Sequence, residues 1–143
     1  MALALAGAGA DVAVAARAVA ELEQTAQEIR ALGRRAIVVP TDVADYAQVE
    51  ALIARTAAEL GRLDVLVNNS GVASVSPVAE MAPEEFRRTV EVNLIGVFNG
   101  CRAAAGRLIA QESGKIINLA SVLGAAGLPG YAAYSASKGA SSR

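Results

Sequence analysis

Aromatic side chains are scarce in this 143-residue sequence, at 3%, while hydrophobic residues reach 54%. A core large enough for one ordinary domain must therefore be built from Ala, Val, Leu and Ile. Cysteine occurs once, as Cys101, which excludes an internal disulfide, suits a reducing compartment and fits a small buried hydrophobe. An excess of charge of one sign is also lacking: 13 basic against 14 acidic residues leave a net charge of -1. With no basic stripe or run, nucleic acid is not an expected partner. No membrane span is expected either. Residues 2–10 are small and uncharged, yet no basic residue precedes them and Asp11 interrupts the stretch, unlike a signal peptide. Residues 116–137 carry no charge but contain Asn118, Ser121, Pro129 and several glycines, whose polar groups need water or protein partners. Internal repeats, low-complexity linkers and domain boundaries are missing as well, so residues 1–143 read as one domain.

What is present is an alternation of short apolar runs with helical periodicity. Residues 11–16 read as a strand, preceded by the end of a helix from Ala2. Residues 19–32 place Leu22, Ala26, Ile29 and Leu32 on one face, with Gly33 as a C-terminal stop. Residues 36–39 form a short strand ending at Pro40. Asp45 and Gln48 make a capping pair for a helix with Val49, Leu52, Ile53, Thr56 and Leu60 inward, closed by Gly61. Residues 63–67 form a third strand running into Asn68-Asn69-Ser70-Gly71. Pro83 stands at a first helical position, followed by Glu84 and Glu85 where the helix dipole favours acids. Along that helix Phe86, Val90, Asn93 and Val97 share a stripe. Residues 116–120 form a fourth strand, followed by a glycine-rich loop to Gly130. Strands separated by helices of this length imply an α/β fold, a three-layer parallel sheet with helices on both faces.

Several residues are candidates for chemistry. Tyr134 and Lys138 lie one helical turn apart on the same face. An ammonium beside a phenol stabilises the phenolate, which suits a tyrosine for acid or base work; the alternative is an ordinary exposed helix face. Ser121 follows the fourth strand, and the carboxyl ends of strands line the crevice of an open parallel sheet; a turn or cap serine is the alternative. Asn93 interrupts an apolar stripe, so its amide must find partners, structural or in a site. Asn69 and Asp42 each follow a strand, as ligand contacts or as polar turn and cap residues.

Together, "LDVLVNNSGV", "VNLIGVF", "KIINLASV" and "YSASK" occur in the order and spacing of the short-chain dehydrogenase/reductase family. "GADVAVAAR" and "TDV" resemble its second and third strands, so the resemblance extends to about Ala140. It implies a Rossmann-like fold and a hydride transfer between a nicotinamide cofactor and a small carbonyl or alcohol substrate. Tyr134 would exchange the proton, Lys138 would assist it and hydrogen-bond the nicotinamide ribose, and Ser121 would hold the substrate oxygen. Asn93 would support a water-linked proton relay. Asn69 and Gly71 would line the cofactor site, with Asp42 and Val43 flanking the adenine. Arg17 stands where an NAD site usually carries an acid, which favours NADP, with NAD as the alternative and a solvated strand-end arginine as the bland reading. The resemblance also implies a cytoplasmic enzyme that forms a homo-oligomer when full length.

The family begins with a strand and a glycine-rich turn that seats the pyrophosphate, and neither is expected here. Gly7-Ala8-Gly9 lies between a helix and a strand, the reverse of the required order. At the other end, Ser141, Ser142 and Arg143 depart from the family's usual apolar continuation. In the strand order 3-2-1-4-5-6, the first strand stands between the second and the fourth. Two half-sheets facing a gap, each with an unpaired edge, are thus expected, in a chain truncated at both ends. The alternative is a non-catalytic binding or assembly fragment that pairs those edges with a full-length relative.

Overall fold

The computed structural model describes residues 1–141; Ser142 and Arg143 lie outside the described residues. The chain runs α1 (Ala2–Gly7), β1 (Val12–Ala16), α2 (Val19–Ala31), β2 (Ala36–Pro40), α3 (Tyr46–Leu60) and β3 (Val65–Asn68). It continues through α4 (Pro83–Val90), a π-helical turn (Glu91–Ile95), α5 (Gly96–Ala110), β4 (Lys115–Asn118), a 3-10 turn (Val122–Gly124) and α6 (Ala132–Ser141). The alternation expected from apolar periodicity is therefore observed. No helix among the described residues is long and apolar enough to cross a membrane.

The strands form two parallel pairs, β1 with β2 and β3 with β4. In register, Val12 to Ala16 oppose Ala36 to Pro40, and Val65 to Asn68 oppose Lys115 to Asn118. Helices α1 and α2 pack on one face of the first pair, where Ala6, Val14, Leu22, Ala26, Ile29 and Ala36 are buried together. A second cluster joins Ile53 of α3, Leu63 and Ala104 of α5, with Leu66 of β3 against it. Contact between α3 and α5 links the two pairs. Between the pairs lies a cavity of about 590 Å³ bounded by β1 and β3.

Local chemistry accounts for the boundaries. The Asp45 side chain caps α3 by accepting from the N–H groups of Ala47 and Gln48 at 2.9 and 3.3 Å. Gln48 does not reach back as in a reciprocal box. Its Nε2 donates to Asp45 Oδ2, and its Oε1 accepts from the Asp42 N–H at 2.8 Å, so the pair also anchors the turn after β2. These bonds, Gln48 first, hold the Asp45 carboxyl below the usual carboxylate range. Asp11 is held down likewise, by the Arg35 N–H first and then its guanidinium, with Arg34 adding its charge. Arg35 also donates to the carbonyls of Glu59 and Leu60, tying the start of β2 to the end of α3.

Two expectations need correction. Leu32 is exposed, because α2 ends at Ala31 and Leu32 occupies the cap before Gly33, whose φ of +76° turns the chain away. The stripe through Phe86 and Val90 also fails: Thr89 is buried instead, and Phe86 is 41% exposed. The π-turn inserts one residue into the helical count, so the buried line upstream of Asn93 moves back by one position.

Candidate active site

The carboxyl ends of the strands carry most of the residues singled out above. β4 ends at Asn118, earlier than the expected Ala120, so Ser121 lies beyond the strand and opens the 3-10 turn. Its Oγ accepts from the Leu123 N–H at 3.2 Å, which leaves the hydroxyl hydrogen available to donate. The turn packs directly on α6. A Cβ on Gly124 would stand 2.8 Å from the Lys138 carbonyl carbon and 2.9 Å from the Gly139 nitrogen, so backbone meets backbone there.

On α6, Tyr134 and Lys138 share a face, with the Lys138 Nζ 6.0 Å from the Tyr134 ring centroid. Lys138 is only 4% exposed and donates to the Leu119 carbonyl at 2.6 Å, which fixes its ammonium at the end of β4. Two of its three donors remain for other partners. Tyr131 supports Tyr134 from the side, ring edge to ring face at 6.4 Å and 72°.

Asn93 is fully buried, and its amide is fully engaged. Oδ1 accepts from the Val72 N–H at 2.8 Å, while Nδ2 donates to the Val72 carbonyl at 2.8 Å and to Ser137 Oγ at 3.1 Å. Ser137 in turn donates to the Tyr134 carbonyl at 2.8 Å. One amide therefore joins the segment after β3 to the helix that carries Tyr134. Gly71 lies in the same corner: a Cβ there would come 3.5 Å from Asn93 Oδ1 and 3.8 Å from Lys138 Nζ.

Arg17, Asp42 and Val43 form a second group, at the ends of β1 and β2. Arg17 and Asp42 stand 4.0 Å apart with the arginine side chain 54% exposed, a contact of little energy that leaves the guanidinium in solvent. Asp42 Oδ1 accepts from the Ala44 N–H at 3.0 Å. Asn69 lies at the edge of the cavity between the strand pairs. Asn68, expected as the first residue of the loop, belongs instead to β3 and donates to Asn118 Oδ1 of its register partner at 2.8 Å.

Sequence reasoning missed Asn99. This buried residue of α5 donates to the carbonyls of Val43 and Ala44 at 2.9 and 3.3 Å. Next to it Gly96 meets Val43, and an added Cβ would come within 2.7 Å of Val43 Cγ2. The two residues hold the 42–44 turn against α5. The signal was present: Asn99 follows Val92 and Gly96 at helical spacing, a second amide on an apolar flank.

The description "short chain dehydrogenase" fits the family model that matches residues 1–143. Among curated proteins, the short-chain dehydrogenase/reductase eriH of Hericium erinaceus is 44% identical over 121 residues, 84% of this chain and 48% of its own length. The 3-oxoacyl-(acyl-carrier-protein) reductase FabG of Staphylococcus aureus is 40% identical over 139 residues, 96% of this chain and 56% of its own. A crystal structure of a short-chain type dehydrogenase/reductase from Mycobacterium marinum superposes with a TM-score of 0.92 at 39% identity. That match covers 97% of this chain and 57% of the other. The chain thus spans about half the length of these relatives. With parallel strands flanked by helices and a family model matched over all 143 residues, the chain belongs to the short-chain dehydrogenase family.

Proposed function

We propose that residues 1–143 are one partial NAD(P)-binding domain of a cytoplasmic, NADP-preferring oxidoreductase acting on a small carbonyl or alcohol. The observation that carries this reading is Lys138, buried and pinned to the Leu119 carbonyl beside Tyr134 at the carboxyl end of β4. A bound nicotinamide supplies the hydride chemistry. The Tyr134 hydroxyl gives a proton to the substrate oxygen in reduction and takes one in oxidation. Lys138 directs its ammonium toward that tyrosine and offers its remaining donors to a ribose. Ser121 donates to the substrate oxygen. Asn93 positions Tyr134 through Ser137, with a water-linked relay along Lys138 as its further role.

The residues present fit the two ends of a dinucleotide. Asn69, Gly71 and Lys138 stand at the nicotinamide end, and Gly71 leaves open a corner that a Cβ would fill. Asp42 and Val43 face the adenine end, where Arg17 meets a 2′-phosphate. No glycine-rich turn from a strand into a helix seats the pyrophosphate among the described residues. The 143 residues by themselves therefore bind weakly and turn over little, and the longer parent is the active, homo-oligomeric form. Exposed Phe98 and Ile109 of α5 support that assembly.

Chemical-shift perturbation NMR of the isotope-labelled chain with NADPH and with NADH at millimolar concentration tests the reading. NADPH should perturb Arg17, Val43 and Lys138 more strongly than NADH does, and Arg17→Glu should abolish the difference. Equal perturbation by both cofactors, or none by either, refutes it. Micromolar NADPH affinity with turnover would refute the claim of an inactive piece.

A further inference from the structure

The geometry points to Asn99 of α5 as a positioning residue for the adenine end of the dinucleotide site. We propose that it orients the Asp42 carboxylate through the single peptide plane between Val43 and Ala44. The inference rests on the proposed cofactor and adds to it a residue that acts through the backbone. Asn99 is only 4% exposed, and its Nδ2 donates to the Val43 carbonyl at 2.9 Å and to the Ala44 carbonyl at 3.3 Å. Two carbonyl acceptors fix which way the amide points, since a flipped amide would set its oxygen against both. At the other end of the 43–44 plane, the Ala44 N–H donates to Asp42 Oδ1 at 3.0 Å. Peptide planarity joins the two bonds: the plane cannot turn away from Asn99 without withdrawing its N–H from Asp42.

The remaining attachments of the turn hold other groups. Gln48 Oε1 accepts from the Asp42 N–H at 2.8 Å, and the Asp45 N–H donates to the Asp42 carbonyl at 3.1 Å. Gly96, one helical turn before Asn99, admits the Val43 side chain, which an added Cβ would meet at 2.7 Å. What the turn leaves open is one acceptor and one donor. The acceptor is Asp42 Oδ2, which faces only Arg17, at 4.0 Å, and the donor is the Val43 N–H, which has no acceptor among the described residues. Adenine carries a 6-amino donor beside its N1 acceptor and complements that pair, whereas hypoxanthine presents an oxygen and an N–H in the same places. A carboxylate held by a fixed plane discriminates between the two purines; one free to rotate does not. An amide that served the fold alone would affect both purines alike.

Chemical-shift titration of the isotope-labelled 143-residue chain tests this, with NADPH and with its deamino analogue, in which hypoxanthine replaces adenine. Wild type should bind NADPH at least about fivefold more tightly, the worth of one hydrogen bond. Asn99→Ala and Asn99→Leu should bring that ratio to about one by weakening NADPH alone. Should either variant lose its native spectrum, a measurement on the unmodified chain decides. Before cofactor is added, the side-chain amide protons of buried Asn99 should exchange at least about tenfold more slowly than those of exposed Gln24. Exchange as fast as that of Gln24, a wild-type ratio of one, or variants that weaken both dinucleotides equally overturns the inference, while NADPH shifts at Arg17 and Lys138 leave the cofactor reading standing. No NADPH shift anywhere in the wild-type chain overturns the cofactor reading and this inference with it.

Discussion

Replacing Asn93 with alanine should be among the most damaging single changes in this chain. The substitution removes three hydrogen bonds from a fully buried side chain: two to the backbone of Val72 and one to Ser137. A net contribution of about 1 kcal/mol for each bond gives a loss of about 3 kcal/mol, before any further cost for groups left unpaired. Unfolding entropy of about 2.1 cal/mol/K per residue amounts to about 0.3 kcal/mol/K here, so the melting temperature should fall by about 10 °C. Asn93→Asp keeps an acceptor for the Val72 N–H but sets a carboxylate against the Val72 carbonyl, and should do no better at neutral pH. The Asn93 and Ser137 alanine variants should be non-additive, with a coupling above about 0.5 kcal/mol, because each removes the same bond. Thermal and urea denaturation of the four members of that cycle provide the measurement. A fall of less than about 3 °C for Asn93→Ala, equivalent to about 1 kcal/mol, would refute the reasoning, as would strict additivity.

Two further predictions concern stability. Gly124→Ala places a methyl 2.8 to 2.9 Å from the Lys138 and Gly139 backbone, which has no rotamer to yield, and should cost about 1–3 kcal/mol in urea denaturation. Gly127→Ala, where nothing lies within 4 Å, should change little, and equal effects would sink the packing argument. Asp11, whose carboxyl is held low by Arg35, contributes stability that is fully present above the ordinary carboxylate value of about 3.9 and lost as pH falls through its lower folded value. Asp11→Asn should therefore flatten part of the acid limb below about pH 4, while Asp45 retains its own share; parallel limbs for the two proteins would contradict this.

Element order and type were legible because each strand is a short apolar run and each helix shows its own period and caps. Pro83, Asp45 and Gly61 marked ends that the structure shares. The gap between the strand pairs was expected only through the family resemblance, whose strand order places a first strand between the second and the fourth. Less visible were features that depend on distant residues. Nothing local in "EVNLI" announces a π-turn; it forms where Asn93 bonds Val72, twenty-one residues away. Strand ends also shifted by one or two positions, because pairing between β3 and β4, not propensity, decides where the ladder stops. The site was read as a set of residue types, and the carbonyls of Leu119, Val43 and Val72, which orient those side chains, have no signature in any residue's identity.

The π-turn has a consequence for length variation. Residues 83–110 form one uninterrupted rod whose two halves are rotated out of phase by a single surplus residue. Winding residues 91–95 as ordinary α-helix without removing a residue would swing the upstream half by about 100°. Thr89 would turn toward water and Phe86 toward the interior, although no composition or hydropathy would have altered. Deleting one residue there would instead keep its faces as they are. The rod thus accommodates the loss of a residue in this segment, provided its winding changes with the count.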